Sequence, residues 1–280
     1  MAIHSRQIRI HRAVAAHGND HSRDLGIAHL LRDHRRQFFR RHAGKIIVKQ
    51  DPSLLHIAEK AINALQKVPA LQGDVHIGTV LNAKQSGLSK YLATLCELDI
   101  LEREVPVTEE NPEKSKKGLY FIKDNFIRFW FRFVFPYRDL LEAGQEDFVL
   151  QKLEQSFIEN HVSYVYENIC REMIWDMNGK DILFNRVGRW WNKDIEIDIV
   201  AYDSNGDDIL FGECKYSKNP KGIDVLADLK VKANEVEWNK AKRKEYYVIF
   251  SKSGFTKELL ERAEKEKSII LVDKLDVMSK

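Results

Sequence analysis

Asp194-Ile195-Glu196-Ile197-Asp198-Ile199-Val200-Ala201-Tyr202 leads through Asp203 into the polar cluster Ser204-Asn205-Gly206-Asp207-Asp208, and the chain resumes as Ile209-Leu210-Phe211-Gly212-Glu213-Cys214-Lys215-Tyr216. Two apolar-rich runs around a Ser, Asn, Gly and Asp turn predict a β-hairpin. Side chains alternate faces along a strand, so Ile195, Ile197 and Ile199 are expected to point one way and Glu196 and Asp198 the other. Glu213 and Lys215, two apart on the second strand, share a face. The hairpin therefore predicts a convergence of Asp198 and Glu213 with the Lys215 ammonium beside them. Two carboxylates with no His or Cys nearby suit Mg²⁺ or Mn²⁺, hard cations that take oxygen ligands. An anionic phosphodiester would complete such a shell, and Lys215 would orient or help deprotonate the attacking water and neutralise charge on the phosphate. Charged residues on the solvated face of a hairpin fit the same pattern.

Working outward, four further stretches stand in order along the chain: Lys117-Gly118-Leu119-Tyr120-Phe121-Ile122, Phe129-Trp130-Phe131-Arg132-Phe133, Gly188-Arg189-Trp190-Trp191 and Ser251-Lys252-Ser253-Gly254-Phe255-Thr256. Together with Glu196 to Ala201 and Gly212 to Lys215, they resemble the C-terminal part of a family of archaeal and bacterial AAA+-type ATPases, over about residues 50 to 280. The C-terminal domain of that family, of unknown function, looks like a PD-(D/E)xK, restriction-endonuclease-like nuclease. The resemblance implies that Asp198 is the metal-binding Asp and that Glu213 and Lys215 are the Glu-x-Lys pair. It also implies that Glu167, in Tyr166-Glu167-Asn168-Ile169-Cys170, is the acid on the preceding helix. Ile197 stands where the Pro of the superfamily's name would be.

Residues 49–124 predict a winged helix-turn-helix. Leu54, Leu55, Ile57, Ala58, Ala61, Ile62 and Leu65 recur at helical spacing, and a second short helix carries Ile77, Val80 and Leu81. Ser86 is placed to cap a third helix along Leu88, Tyr91, Leu92, Leu95 and Leu98. Ile100 to Val107 and Leu119 to Ile122 form the wing, with a polar tip from Glu109 to Lys117. In a DNA-reading version Lys84, Ser86, Ser89 and Lys90 face the major groove, while Lys114, Lys116 and Lys117 touch phosphate. Winged helices also serve as plain protein-contact modules.

Residues 125–150 read as an aromatic connecting helix carrying Phe126, Phe129, Trp130, Phe131, Phe133, Phe135 and Tyr137. Core packing or an interdomain seam is the favoured reading of that row; stacking of bases, or a protein partner or self-association through it, are the alternatives. Trp190 and Trp191 are expected to brace the first site strand, leaving Arg186 and Arg189 to approach phosphate. Residues 151–280 then predict an α/β/α sandwich on a mixed sheet, in the order helix, hairpin, helix, strand, helix, strand. Tyr246 to Phe250 and Ile269 to Val272 are its buried strands.

Residues 1–48 differ in composition: nine arginines and seven histidines precede the first lysine, Lys45. They suggest a truncated or poorly ordered start, with a phosphate-binding basic arm as the alternative. Gly44-Lys45-Ile46 is not a phosphate-binding G-x-x-x-x-G-K-[ST] loop, so ATP hydrolysis is not expected of this chain. The net charge of +3 permits nucleic-acid contact without demanding it. Cys96, Cys170 and Cys214 are isolated, so no disulfide framework or zinc site is implied. Without an export signal or an apolar run long enough to span a bilayer, the expected location is the cytoplasm, with no membrane partner. The whole reading is a Mg²⁺-dependent DNA phosphodiesterase domain fused to a winged helix, a remnant of a larger ATPase. A catalytically silent DNA- or protein-binding module is the alternative.

Overall fold

The structure is a computed structural model that describes residues 92–180, 182–273 and 276–277. The first two helices expected of the winged helix-turn-helix, and Lys84, Ser86, Ser89 and Lys90, lie outside the described residues. Within them, residues 92–97 are helical with Leu92 and Leu95 fully buried. Asp99, at a φ of 57°, turns the chain into an antiparallel pair of strands, β1 (Leu101–Glu104) and β2 (Leu119–Ile122). Arg103 ties the intervening loop by donating from Nη1 to the Pro112 carbonyl at 2.9 Å and from Nη2 to the Ser115 carbonyl at 2.6 Å.

The expected aromatic helix over 125–150 is broken into segments. α1 (Asn125–Phe129), capped by the Asp124 carboxylate on the Ile127 amide, runs into a π turn at Trp130–Val134 and a 3₁₀ turn at Phe135–Tyr137. α2 (Arg138–Glu142) follows. Pro136 explains part of the break, since it has no amide hydrogen to continue the helical ladder. α3 (Glu146–Phe157) then joins α4 (Ser163–Ile174) through a second π turn, Ile158–Val162. Phe129, Phe133 and His161 all pack on Phe157, with ring centroids 5.3–5.9 Å apart. Burial, then Arg128 and Arg132, push the His161 pKa down to about 4, so this imidazole is a neutral member of an aromatic core. Phe131, Phe133 and Val134 are buried in that core, whereas Phe135 stays 40% exposed.

The second half is one six-stranded sheet in the order β3 (Arg186–Asn192), β4 (Ile195–Tyr202), β5 (Asp208–Lys215), β6 (Lys244–Ser251), β7 (Ile269–Asp273) and β8 (Asp276–Val277). β3–β4–β5 are antiparallel, β5–β6–β7 parallel and β8 antiparallel, so the sheet is mixed. The expected order of hairpin, helix, strand, helix and strand is present, with β3 as an added edge strand. β5 is buried on both faces from Ile209 to Cys214, as its near-continuous apolar run requires of a central strand. Gly212 is needed there: a Cβ would stand 2.9 Å from both Ile199 Cβ and Val248 Cγ1 of the flanking strands.

Two parallel crossovers of the same hand put their helices on one face. α5 (Ile223–Ala233) and α6 (Lys257–Lys265) accordingly bury Val225, Leu226, Leu229 and Leu259 against Val200, Phe211, Ile249 and Leu271. α4 covers the opposite face with Tyr166, Cys170 and Ile174, spaced by four, against Ile199, Leu210, Val248 and Phe250. Helices therefore flank the sheet on both sides. Among the described residues no helix is long and apolar enough to cross a membrane.

One strand departs from simple alternation. Gly188 pairs with Val200, yet Trp190 pairs with Ile197, so β4 carries one residue more than β3 across this interval. That is a β-bulge. Ile197 consequently packs in the core under α5 while Ile199 packs in the core under α4. The expectation that the two share a face is corrected, because the inserted residue breaks the period of two between them.

Candidate metal and phosphate site

Asp198 sits in the bulge. The β4–β5 ladder stops at Ile199 opposite Gly212, and the next amide on β5, that of Cys214, donates instead to Asp198 Oδ2 at 2.8 Å. The bulge thus turns a strand acid inward and lets its carboxylate stand in for a missing backbone acceptor. Burial is the largest influence on this carboxyl. Burial, the Glu213 charge and then the Glu167 charge together push its pKa up to about 7, against the pull of the Cys214 amide and of Lys215.

Glu213 is almost fully buried on β5 and takes two ammonium groups. Lys215 Nζ lies 2.5 Å from Glu213 Oε1, and Lys232 Nζ, reaching down from α5, lies 3.2 Å from Oε2. Burial opposes the charge on each lysine, but Glu213 outweighs it and raises both pKa values; Asp198 adds to the effect at Lys215 and Asp228 at Lys232. The raised pKa keeps charge on Lys215, which suits it to balancing an anion.

Glu167 projects from α4, where its Oε2 accepts from Arg189 Nη2 at 2.9 Å. Burial raises its pKa, with Arg189 opposing and Glu196 adding to the rise. Asp198 thus lies within the electrostatic reach of Glu213, Glu167 and Lys215. Among the described residues no three His, Cys, Asp and Glu side chains are grouped to hold a metal ion. The donors that fit a hard cation are Asp198, whose Oδ2 accepts from the Cys214 amide, and Glu213, whose oxygens hold the two lysines.

Two expectations change, at Arg189 and at the hairpin tip. Arg189 is 5% exposed and cannot approach phosphate; its guanidinium lies 5.1 Å from the Phe121 ring centroid and 5.2 Å from that of Tyr164. Trp190 and Trp191 lie within β3, one in the core under α5 and the other against Leu119, Phe121 and Tyr164. At the hairpin tip Lys116 is exposed, but Lys117 is paired with Glu109 at 2.6 Å, and Glu110 and Glu113 stand nearby in sequence. The positive charge expected there is therefore largely offset. Lys232, on the helix that follows the Glu-x-Lys strand, reads from sequence, like Lys230, as a phosphate contact or a solvated lysine; the structure instead brings it to Glu213.

Residues 130–249, which contain every residue of this site, match the model of the DUF234 family, described as archaeal and bacterial proteins of unknown function. The chain is also similar to an uncharacterised protein of Methanocaldococcus jannaschii, MJECL04, with 36% identity over 188 residues, covering 65% of this chain and 41% of that protein. The chain thus spans about two-fifths of the length of this curated relative. No solved structure matches it.

Proposed function

We propose that the chain is a divalent-cation-dependent phosphodiesterase acting on DNA, with a restriction-endonuclease-like core and the β1–β2 hairpin as the wing of a winged helix. The observation that carries this reading is the half-buried Asp198 carboxyl, held in a bulge by the Cys214 amide and under the charges of Glu213, Glu167 and Lys215. Burying acids against one another costs stability unless the arrangement serves a ligand, and perturbed carboxyls cluster at functional sites. Asp198 and Glu213 would hold Mg²⁺ or Mn²⁺, which supplies Lewis-acid polarisation of a phosphoryl oxygen. Asp198 is oriented by the Cys214 amide. Lys215, charged and 37% exposed at its side chain, neutralises negative charge building on the phosphate. Lys232, paired with Glu213 here, would be a second positive charge available to a bound phosphate. In the same reading the chain corresponds to a part of a larger ATPase-type protein that works in the cytoplasm.

A second reading, a catalytically silent binding module, is favoured by one observation. Glu213 is already neutralised by two lysines, as a structural ion pair would be. Purified protein incubated with single- and double-stranded DNA and with RNA, in Mg²⁺, Mn²⁺ or EDTA, separates the two. Metal-dependent cleavage lost in Lys215→Ala supports the enzyme; binding without cleavage in either metal supports the silent module.

A further inference from the structure

The β1–β2 hairpin is fastened to the sheet at the point where the site acid Glu167 is held. The Val107 amide, on the strap leaving β1, donates to the Arg189 carbonyl at 2.8 Å, and the Tyr202 hydroxyl donates to the Val107 carbonyl at 3.1 Å. The Arg189 side chain runs the other way, between the Phe121 ring of β2 and the Tyr164 ring of α4, to reach Glu167. Glu104 of β1 completes the junction: its Oε1 lies 3.5 Å from Arg171 Nη1, and its Oε2 lies 4.0 Å from Arg189 Nε. Glu102 adds a 3.5 Å contact to the Tyr164 hydroxyl.

This junction is incompletely satisfied. Glu104 Oε2, Arg189 Nε, and Arg171 Nε and Nη2 are all buried without a hydrogen-bond partner. Glu104 Oε2 and Arg189 Nε face each other just beyond bonding distance. Buried orphans of this kind are uncommon, and here two belong to groups of opposite charge that a shift of about 1 Å would join.

We propose that Arg189 is a positioning residue for Glu167 and that the hairpin acts on the candidate site through it. A displacement of β1 that brings Glu104 onto Arg189 Nε, or takes it away, changes the guanidinium's hold on Glu167 and so the field at Asp198. The hairpin is then a built-in part of the site, able to report to it what the wing has bound. The inference rests on the metal-site reading for its functional consequence, while the link between hairpin and Glu167 is testable without it.

The experiment combines two measurements on the full chain. Urea unfolding of Glu104→Gln, Glu167→Gln and the double variant reads the link. Losing both acids leaves a buried guanidinium unpaired, so the double variant should lose more stability than the two single losses combined. In an Arg189→Met background the non-additivity should vanish. Mn²⁺ alone, titrated by the resonance signal of the free ion, reads the consequence. Binding should change about tenfold in Arg189→Met and in Glu104→Gln, the range for removal of a group that orients a residue beside a metal site, with partial return to the wild-type value in Arg189→Lys. Additive stability losses overturn the link. Unchanged Mn²⁺ affinity in Glu104→Gln and Arg189→Met, with binding intact in the wild type, overturns the positioning role. Wild-type protein that binds no Mn²⁺ sinks the metal site itself and the positioning role with it, and the unfolding cycle then decides the hairpin link alone.

Discussion

Replacing Asp198 by Asn should stabilise the metal-free protein at neutral pH while removing its response to Mg²⁺. The amide keeps an oxygen to accept from the Cys214 backbone and removes a charge that burial, Glu213 and Glu167 all disfavour. The folded pKa is raised, from 3.8 to about 7, so the folded state holds the proton more tightly than the unfolded chain. The contribution of Asp198 to wild-type stability is then greatest below about 3.8, falls as the pH rises through this window, and levels off above about 7. At about 1.4 kcal/mol per pH unit the ceiling on the loss is about 4 kcal/mol; partial solvation of the site and coupling to its neighbours bring the expected gain in the Asn variant to roughly 1–3 kcal/mol at pH 8. Urea unfolding in EDTA at pH 5 and pH 8 measures it. The variant should exceed the wild type at pH 8 and approach it at pH 5. Adding Mg²⁺ at about a hundred times its dissociation constant should restore about 2.7 kcal/mol to the wild type only. An Asn variant less stable than the wild type at pH 8, or one that Mg²⁺ stabilises equally, refutes the reasoning.

Lys215→Ala should abolish metal-dependent cleavage with little change in DNA affinity, whereas replacing Lys84, Lys90, Lys116 and Lys117 together should weaken binding and flatten its salt dependence; gel shifts and cleavage assays check both. Because Lys117 is already paired with Glu109, it should be the weaker contributor of the two hairpin lysines when each is replaced alone. Lys232→Met frees one Glu213 oxygen and removes a positive charge from the site, so Mn²⁺ should bind about three- to tenfold tighter, with slower turnover, by titration and single-turnover kinetics. Gly212→Ala forces a methyl group between Ile199 and Val248 and should cost about 1–3 kcal/mol in urea unfolding, with no change in metal affinity per folded molecule.

Much of the second half of the chain was legible without coordinates. The apolar runs at Tyr246 and Ile269 read as buried strands because a strand covered on both faces leaves no polar alternation. The Ser-Asn-Gly-Asp turn marked the hairpin because few residues close so short a loop. The meeting of Glu213 and Lys215 was likewise visible, since Glu-x-Lys on one strand puts both on a common face.

What tertiary structure alone decided is how Asp198 joins them. A period of two puts Ile197 and Ile199 on one side, but the bulge places them in different cores. A bulge is a mismatch in count between two paired strands, and the sequence of one strand does not contain the register of its neighbour. The same holds for Arg189, read as a phosphate contact and found buried against Phe121, Tyr164 and Glu167, and for Lys232, brought to Glu213 by the packing of α5. Local chemistry determined which side chains were able to act. Which of them meet was set by contacts between segments far apart in the chain, where burial and Coulomb attraction are strong and no local pattern records the partner.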